Sequence, residues 1–223
     1  MKGGSVDTED TKRKVLRAVI DLFNEYGLKF TMNSLARKLG MSKKTLYVLF
    51  ENKEDLLNQM VDYCFASVKE SEAQALTAPG LDTPGRIRAL LGAFPEQLKG
   101  VNLENLYVLR ETYPKIYARV EQYLESGWEP TIRLLEEGIA EGYVRPVSIP
   151  LFKMMYESAL EQFFRRDVLK KNGMTYREGL QAVTDLLVDG ILIHPEDGNR
   201  DGTHSEGGAS SAAHPEEKRG TNS

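Results

Sequence analysis

The chain has 223 residues, 28% of them charged and 41% hydrophobic, with a formal net charge of −4, so it is long enough for a real core plus an appended module and its overall balance names no partner. One cysteine, Cys64, excludes an internal disulfide framework. The three histidines, His194, His204 and His214, fall at or beyond the last periodic segment, which excludes zinc hydrolases, Ser-His-Asp triads and Glu-x-x-His di-iron centres, all of which need histidine inside the fold.

From the N-terminus, "MKGGSVDTEDTKRK" is polar, and no apolar run has signal-peptide or membrane-spanning length, so a cytoplasmic chain without a membrane partner is expected. Val15, Val19, Leu22, Phe23 and Tyr26 step by three and four and predict a first helix ended by Gly27. Thr31 caps a second, short helix with Leu35, Ala36 and Leu39 inward and Gly40 at its end. Ser42 caps a third with Leu46 and Phe50 inward, and Asn52, with Asp55 three residues on, starts a fourth that runs through Leu56, Met60, Cys64 and Val68. "TAPGLDTPG" at 77–85 breaks the chain, after which helical patterns cover 84–98, 103–112, 114–142, 149–171 and 176–193, with Pro130 expected to kink or interrupt the third. No strand pattern appears. The glycine-, serine- and charge-rich 195–223 cannot bury enough surface to offset ordering and reads as a disordered tail.

Two-turn helices are marginal alone and persist when they pack on something larger or when their exposed ends do work. Ala36, Gly40 and Ser42 fit a helix-turn-helix: a small residue where two helices cross, glycine at the turn, a cap opening the second helix. Between Lys29 and Lys53 six basic residues, among them Arg37, Lys43 and Lys44, face a single acid, Glu51, a net +5 in a chain that totals −4. That local reversal suits phosphate contact, and the hydroxyls of Thr31, Ser42, Thr45 and Tyr47 sit at helix starts where they can bond phosphate oxygens.

The stretch "TMNSLARKLGMSKKTLYVLFENKEDLL" resembles the N-terminal DNA-binding domain of TetR-family transcriptional regulators, a resemblance that runs over roughly 11–68. It implies an all-α homodimer in which a three-helix head at 8–52 joins, through the fourth helix, a larger helical ligand-binding and dimerisation domain at 53–194. It further implies that Thr31, Lys43, Thr45, Tyr47 and Lys53 meet phosphates of a double-stranded DNA operator, with Ser42, Lys43 and Lys44 at the floor or rim of the groove. The partners implied are operator DNA, a second copy of the chain and an unidentified small-molecule effector, with no cofactor or metal. Repression is adopted as the family's commoner mode, with an activator or a co-repressor-dependent regulator as the alternative. One departure is "VLF" after Tyr47: Val48 and Leu49 cannot donate hydrogen bonds, so base reading leans on Lys44, Thr45, apolar contact with thymine methyls or DNA shape, unless Leu49 packs inward.

In the second half, Phe94, Tyr107, Tyr113, Tyr117, Tyr123 and Trp128 interleave with Asn102, Asn105, Arg110 and Glu111, as a largely apolar pocket would need. This set, with Arg110 and Glu111, is the expected effector site. The last two helical segments carry more apolar face than one small domain readily covers, and Phe152, Met155, Tyr156, Ala159, Phe163, Leu180, Val183, Leu187 and Ile191 are the expected dimer interface. A helical enzyme is the rival class: Glu157 and Glu161 share a helix face, but no histidine, phosphate loop or nucleophile motif stands beside them, and no enzymatic activity is expected.

Overall fold

A computed structural model of the chain describes residues 3–98, 103–165 and 168–193. The histidines and the 195–223 tail lie outside the described residues. Residues Met1–Leu192 form one compact unit.

The fold is all-α. Helix α1 (Gly3–Tyr26) buries Val15, Leu16, Val19, Ile20, Leu22 and Phe23 along one stripe, and Gly27, at φ +55°, ends it in a conformation that favours glycine. After a 3-10 turn comes α2 (Met32–Leu39), opened by a capping box: Thr31 Oγ1 accepts the Ser34 N–H at 3.0 Å and Ser34 Oγ accepts the Thr31 N–H at 2.9 Å. Gly40, at φ +62°, closes it and turns the chain into α3 (Lys43–Leu49), capped by Ser42. At the start of α4 (Lys53–Leu76), Asn52 accepts the Asp55 N–H while the Asp55 carboxylate reaches back to the Glu51 N–H, each at 2.9 Å.

Beyond the break the helices are α5 (Thr83–Leu91), α6 (Leu103–Thr112), α7 (Pro114–Glu125), α8 (Glu129–Ala140), α9 (Ile149–Arg165), α10 (Val168–Lys171) and α11 (Tyr176–Asp189). One expected segment is corrected, and one is interrupted as expected near Pro130. The pattern at 84–98 stops being helical at Leu91, because Gly92 follows and the chain resumes only as a 3-10 turn at Glu96–Leu98. The pattern at 114–142 is two helices: Gly127, at φ +76°, turns the chain and Pro130 sits in the first turn of α8, where its missing N–H costs nothing.

Two apolar cores result. The first joins α1 through α4 to Leu109, Ile116, Tyr117 and Val120 of α6 and α7, so the head does not have a core of its own. The second gathers Ile87, Leu135, Phe152, Tyr156, Leu180 and Val188 from α5, α8, α9 and α11. Polar bridges tie distant elements: Arg119 clasps Asp62 through two bonds of 2.6 and 2.9 Å, Tyr123 adds a third at 2.9 Å, and the buried Tyr156 hydroxyl donates to the Leu91 carbonyl at 2.6 Å. The Arg119–Asp62 pair is half-exposed, so its net worth is under about 1 kcal/mol and its value is chiefly geometric.

Candidate nucleic-acid interface and cavity

Helix α3 is held by Leu46, fully buried, and by Phe50 just beyond its end, which leaves the opposite side to solvent. Ser42 Oγ accepts the Thr45 N–H at 3.0 Å and lies 2.8 Å from Thr45 Oγ1, so the two hydroxyls form one polar ledge at the start of the helix. Lys43 leans over the Tyr47 ring at 5.7 Å, and Tyr47 is 44% exposed, facing outward as expected. Lys44 and Arg37 are exposed, and Leu49 packs against the first core, settling inward. Lys53 differs from expectation. Its ammonium donates to the Leu28 carbonyl at 2.5 Å and the Phe30 carbonyl at 2.7 Å and sits 4.5 Å from the Phe30 ring, so it braces the turn after α1 and has one donor left for anything outside. Burial lowers its pKa from the ordinary lysine value.

Behind the head lies a cavity of about 160 Å³. Its near wall belongs to helices of the head and its linker: Ile20 and Phe23 of α1, Met60, Cys64 and Phe65 of α4. The far wall is Trp128, Tyr156, Phe164, Tyr176 and Leu180. Phe65 stacks on Tyr123 at 4.5 Å, and Trp128 meets Tyr156 edge-on at 5.5 Å. Its walls push acids up: the Cys64 thiol is driven to about 12, and Tyr156 and Tyr176 are raised, in each case first by burial, which disfavours the anion. Lys69 and Glu72, 2.6 Å apart, are charged groups on its lining, and the Lys69 ammonium lies where a Cβ on Gly127 would stand. Such a space takes an apolar body of a few to ten heavy atoms, since a comparable engineered cavity accepts benzene.

The wall is coupled to the head by one further contact. Asn105 of α6 donates to the Phe23 carbonyl at 2.7 Å and the Asn24 carbonyl at 3.3 Å, acceptors in the last turn of α1, while its neighbour Leu106 faces the cavity.

Residues 15–60 match the profile of bacterial regulatory proteins of the tetR family. The uncharacterized HTH-type transcriptional regulator YvaF of Bacillus subtilis (strain 168) is 26% identical over 184 residues, which are 82% of this chain and 97% of that protein. These likenesses support a TetR-family transcriptional regulator, with the family's own signature in residues 15–60. Solved structures share its fold: a TetR transcriptional regulator from Chloroflexus aurantiacus J-10-FL superposes with TM-score 0.63 at 21% identity over 82% of this chain and 94% of that one. The fatty acid degradation regulator FadR from Bacillus halodurans gives 0.60 at 21% identity over 85% and 97%.

Three residues of the expected effector site line the cavity: Phe94, Tyr123 and Trp128. The other five do not line it. Arg110 and Glu111 are exposed, Tyr107 packs edge-on against the buried Tyr117 and receives the Arg110 guanidinium on its hydroxyl, and Tyr113 opens α7. The residues missed, Ile20, Phe23, Cys64, Phe164 and Tyr176, carry no separate signal, because a cavity wall and a core use the same apolar types at the same helical spacing.

The expected dimer face is also corrected. Phe152, Tyr156, Leu180 and Ile191 are buried within the chain, and Ala159, Phe163, Val183 and Leu187 are half-buried; of that set only Met155 is exposed. The apolar groups left outward are Leu151, Met154 and Met155 on α9 and Leu186, 73% exposed, on α11. Helix α9 is apolar on two sides, and spacing alone does not say which side is inner.

Proposed function

We propose that this regulator is a homodimer that reads a pseudo-palindromic duplex operator with α3, represses while the cavity is empty and lets go when a small amphipathic effector fills it. One observation carries the reading: Ile20 and Phe23 belong at once to the first core, on which the head packs, and to the wall of the cavity, so an occupant pushes on the head directly. Lys43, Thr45, Tyr47, Thr31 and Arg37 form the phosphate-facing rim, and Ser42 and Lys44 sit at the groove. The head is residues 8–52 and the effector and dimer domain 53–194. The effector's apolar part lies against Trp128 and Phe164, and a polar end takes up Lys69 in exchange for Glu72. Leu151, Met154, Met155 and Leu186 form the two-fold face, which sets the heads one duplex turn apart, roughly 34 to 36 Å.

Selection of random duplex DNA on the purified chain tests the first half. A pseudo-palindrome bound two chains per site is expected, with Lys43→Ala weakening it and lowering the salt slope by about one. For the second half, Trp128 is the chain's single tryptophan and lines the cavity, so titration with medium-chain alkanoates and alkanols is followed by its emission. A ligand that changes the emission and leaves operator affinity untouched refutes the release mechanism; one that tightens binding shows a co-repressor.

A further inference from the structure

The outward side of α3 is organised as two pairs spaced by four residues, which places each pair on one line of the helix. In the first, Lys43 lies over Tyr47; beside it the Thr45 hydroxyl is engaged with Ser42. The second pair is Lys44 and Val48. Both are exposed, and Val48, at 76%, is the most exposed large apolar side chain among the described residues.

Folding does not explain Val48. It contacts no core, and a β-branched side chain loses rotamer freedom in a helix, so an exposed valine does nothing for the stability of a two-turn element. The inward work is done by Leu46, Leu49 and Phe50. The exposed Lys43 and Lys44 stand within five residues before Val48, a charge complement to a phosphate-walled groove, with the exposed Glu51 three residues beyond it, and in the major groove the apolar feature displayed by a base pair is the C5 methyl of thymine.

We propose that Val48 is a specificity-determining residue that reads a thymine methyl, with Lys44 one turn earlier reading the acceptor edge of a guanine. The inference rests on α3 being the DNA-reading helix. Four residues of helix rise about 6 Å, on the order of two base-pair steps, so each half-site carries a guanine and a thymine within about two base pairs of one another.

The test uses the full chain and the duplex it selects. Each half-site thymine is replaced in turn by deoxyuridine, which removes one methyl and keeps every hydrogen-bonding group. At one position in each half-site the replacement weakens wild-type binding about fourfold, the worth of one buried methyl group. Val48→Ala binds the unmodified operator less tightly by a similar factor and loses its sensitivity to deoxyuridine at that position alone. A flat scan, or a Val48→Ala protein that keeps the wild-type methyl sensitivity, overturns the assignment while the DNA-binding reading stands. If no duplex is enriched in the selection, that reading fails and the assignment falls with it.

Discussion

The bonds that cap the short helices of the head run over three residues, Thr31 with Ser34, Ser42 with Thr45, Asn52 with Asp55, and the brace from Lys53 to Leu28 and Phe30 is the head's long-range exception. Those that shape the bundle run across the chain: Asp62 with Arg119, Leu91 with Tyr156, Arg88 of α5 with Asp185 of α11. Neighbours in sequence dictate the first set, and only a completed fold assembles the second. The head can therefore keep its backbone while its outward residues change, whereas the bundle's polar contacts hold only for one packing.

The sharpest way to break that contrast is to strike the core that the two regions share. Phe50→Ala empties a site only 1% exposed and should cost about 3–5 kcal/mol. Because Leu109, Ile116 and Val120 lie in the same core, calorimetry should show one transition at a lower temperature, with duplex binding lost. A separate early transition for the head would show that it melts by itself. Tyr156→Phe tests the long-range set: the Leu91 carbonyl loses its buried donor, for a cost of about 1–3 kcal/mol in denaturant titration.

Ser42→Ala tests the local set and should cost about 1 kcal/mol. Ser42→Asp restores the cap and with it the melting temperature, but its charge beside phosphate keeps duplex affinity below wild type; an Asp variant that binds DNA like wild type would remove Ser42 from the groove. The smallest effect at neutral pH is at Cys64. Its thiol titrates at about 12 in the fold and at about 8.5 in an unfolded chain, so its contribution to stability is complete below about pH 8.5 and is lost as pH rises through about 12. Cys64→Val should match wild type at pH 7 and lose less stability at pH 10 in parallel melts.

The same contrast explains what was legible beforehand. Caps, glycine turns and short amphipathic stripes are local, and they placed α1 to α4, the basic surface and the inward Leu46 and Phe50 from the sequence. The turn at Gly127 was half visible, through Pro130. The bracing role of Lys53 was not legible because the carbonyls that hold it, those of Leu28 and Phe30, lie more than twenty residues earlier. The cavity was legible only at Phe94, Tyr123 and Trp128, since Ile20 and Phe23 look like any other core positions of an amphipathic helix. On α9 two apolar stripes compete, and the choice between them is made by α5 and α11, which no local pattern records.

The unequal walls of the cavity constrain how such a protein can be retuned. A change at Ile20, Phe23 or Met60 reshapes the pocket and disturbs the packing under α3 in the same stroke, so a new effector preference gained there comes with an altered hold on the operator. Trp128 and Tyr176 belong to the second core and Phe164 packs on Tyr176, so none of the three joins that packing. Variants selected for new inducers at undiminished repression should accumulate their substitutions on the far wall.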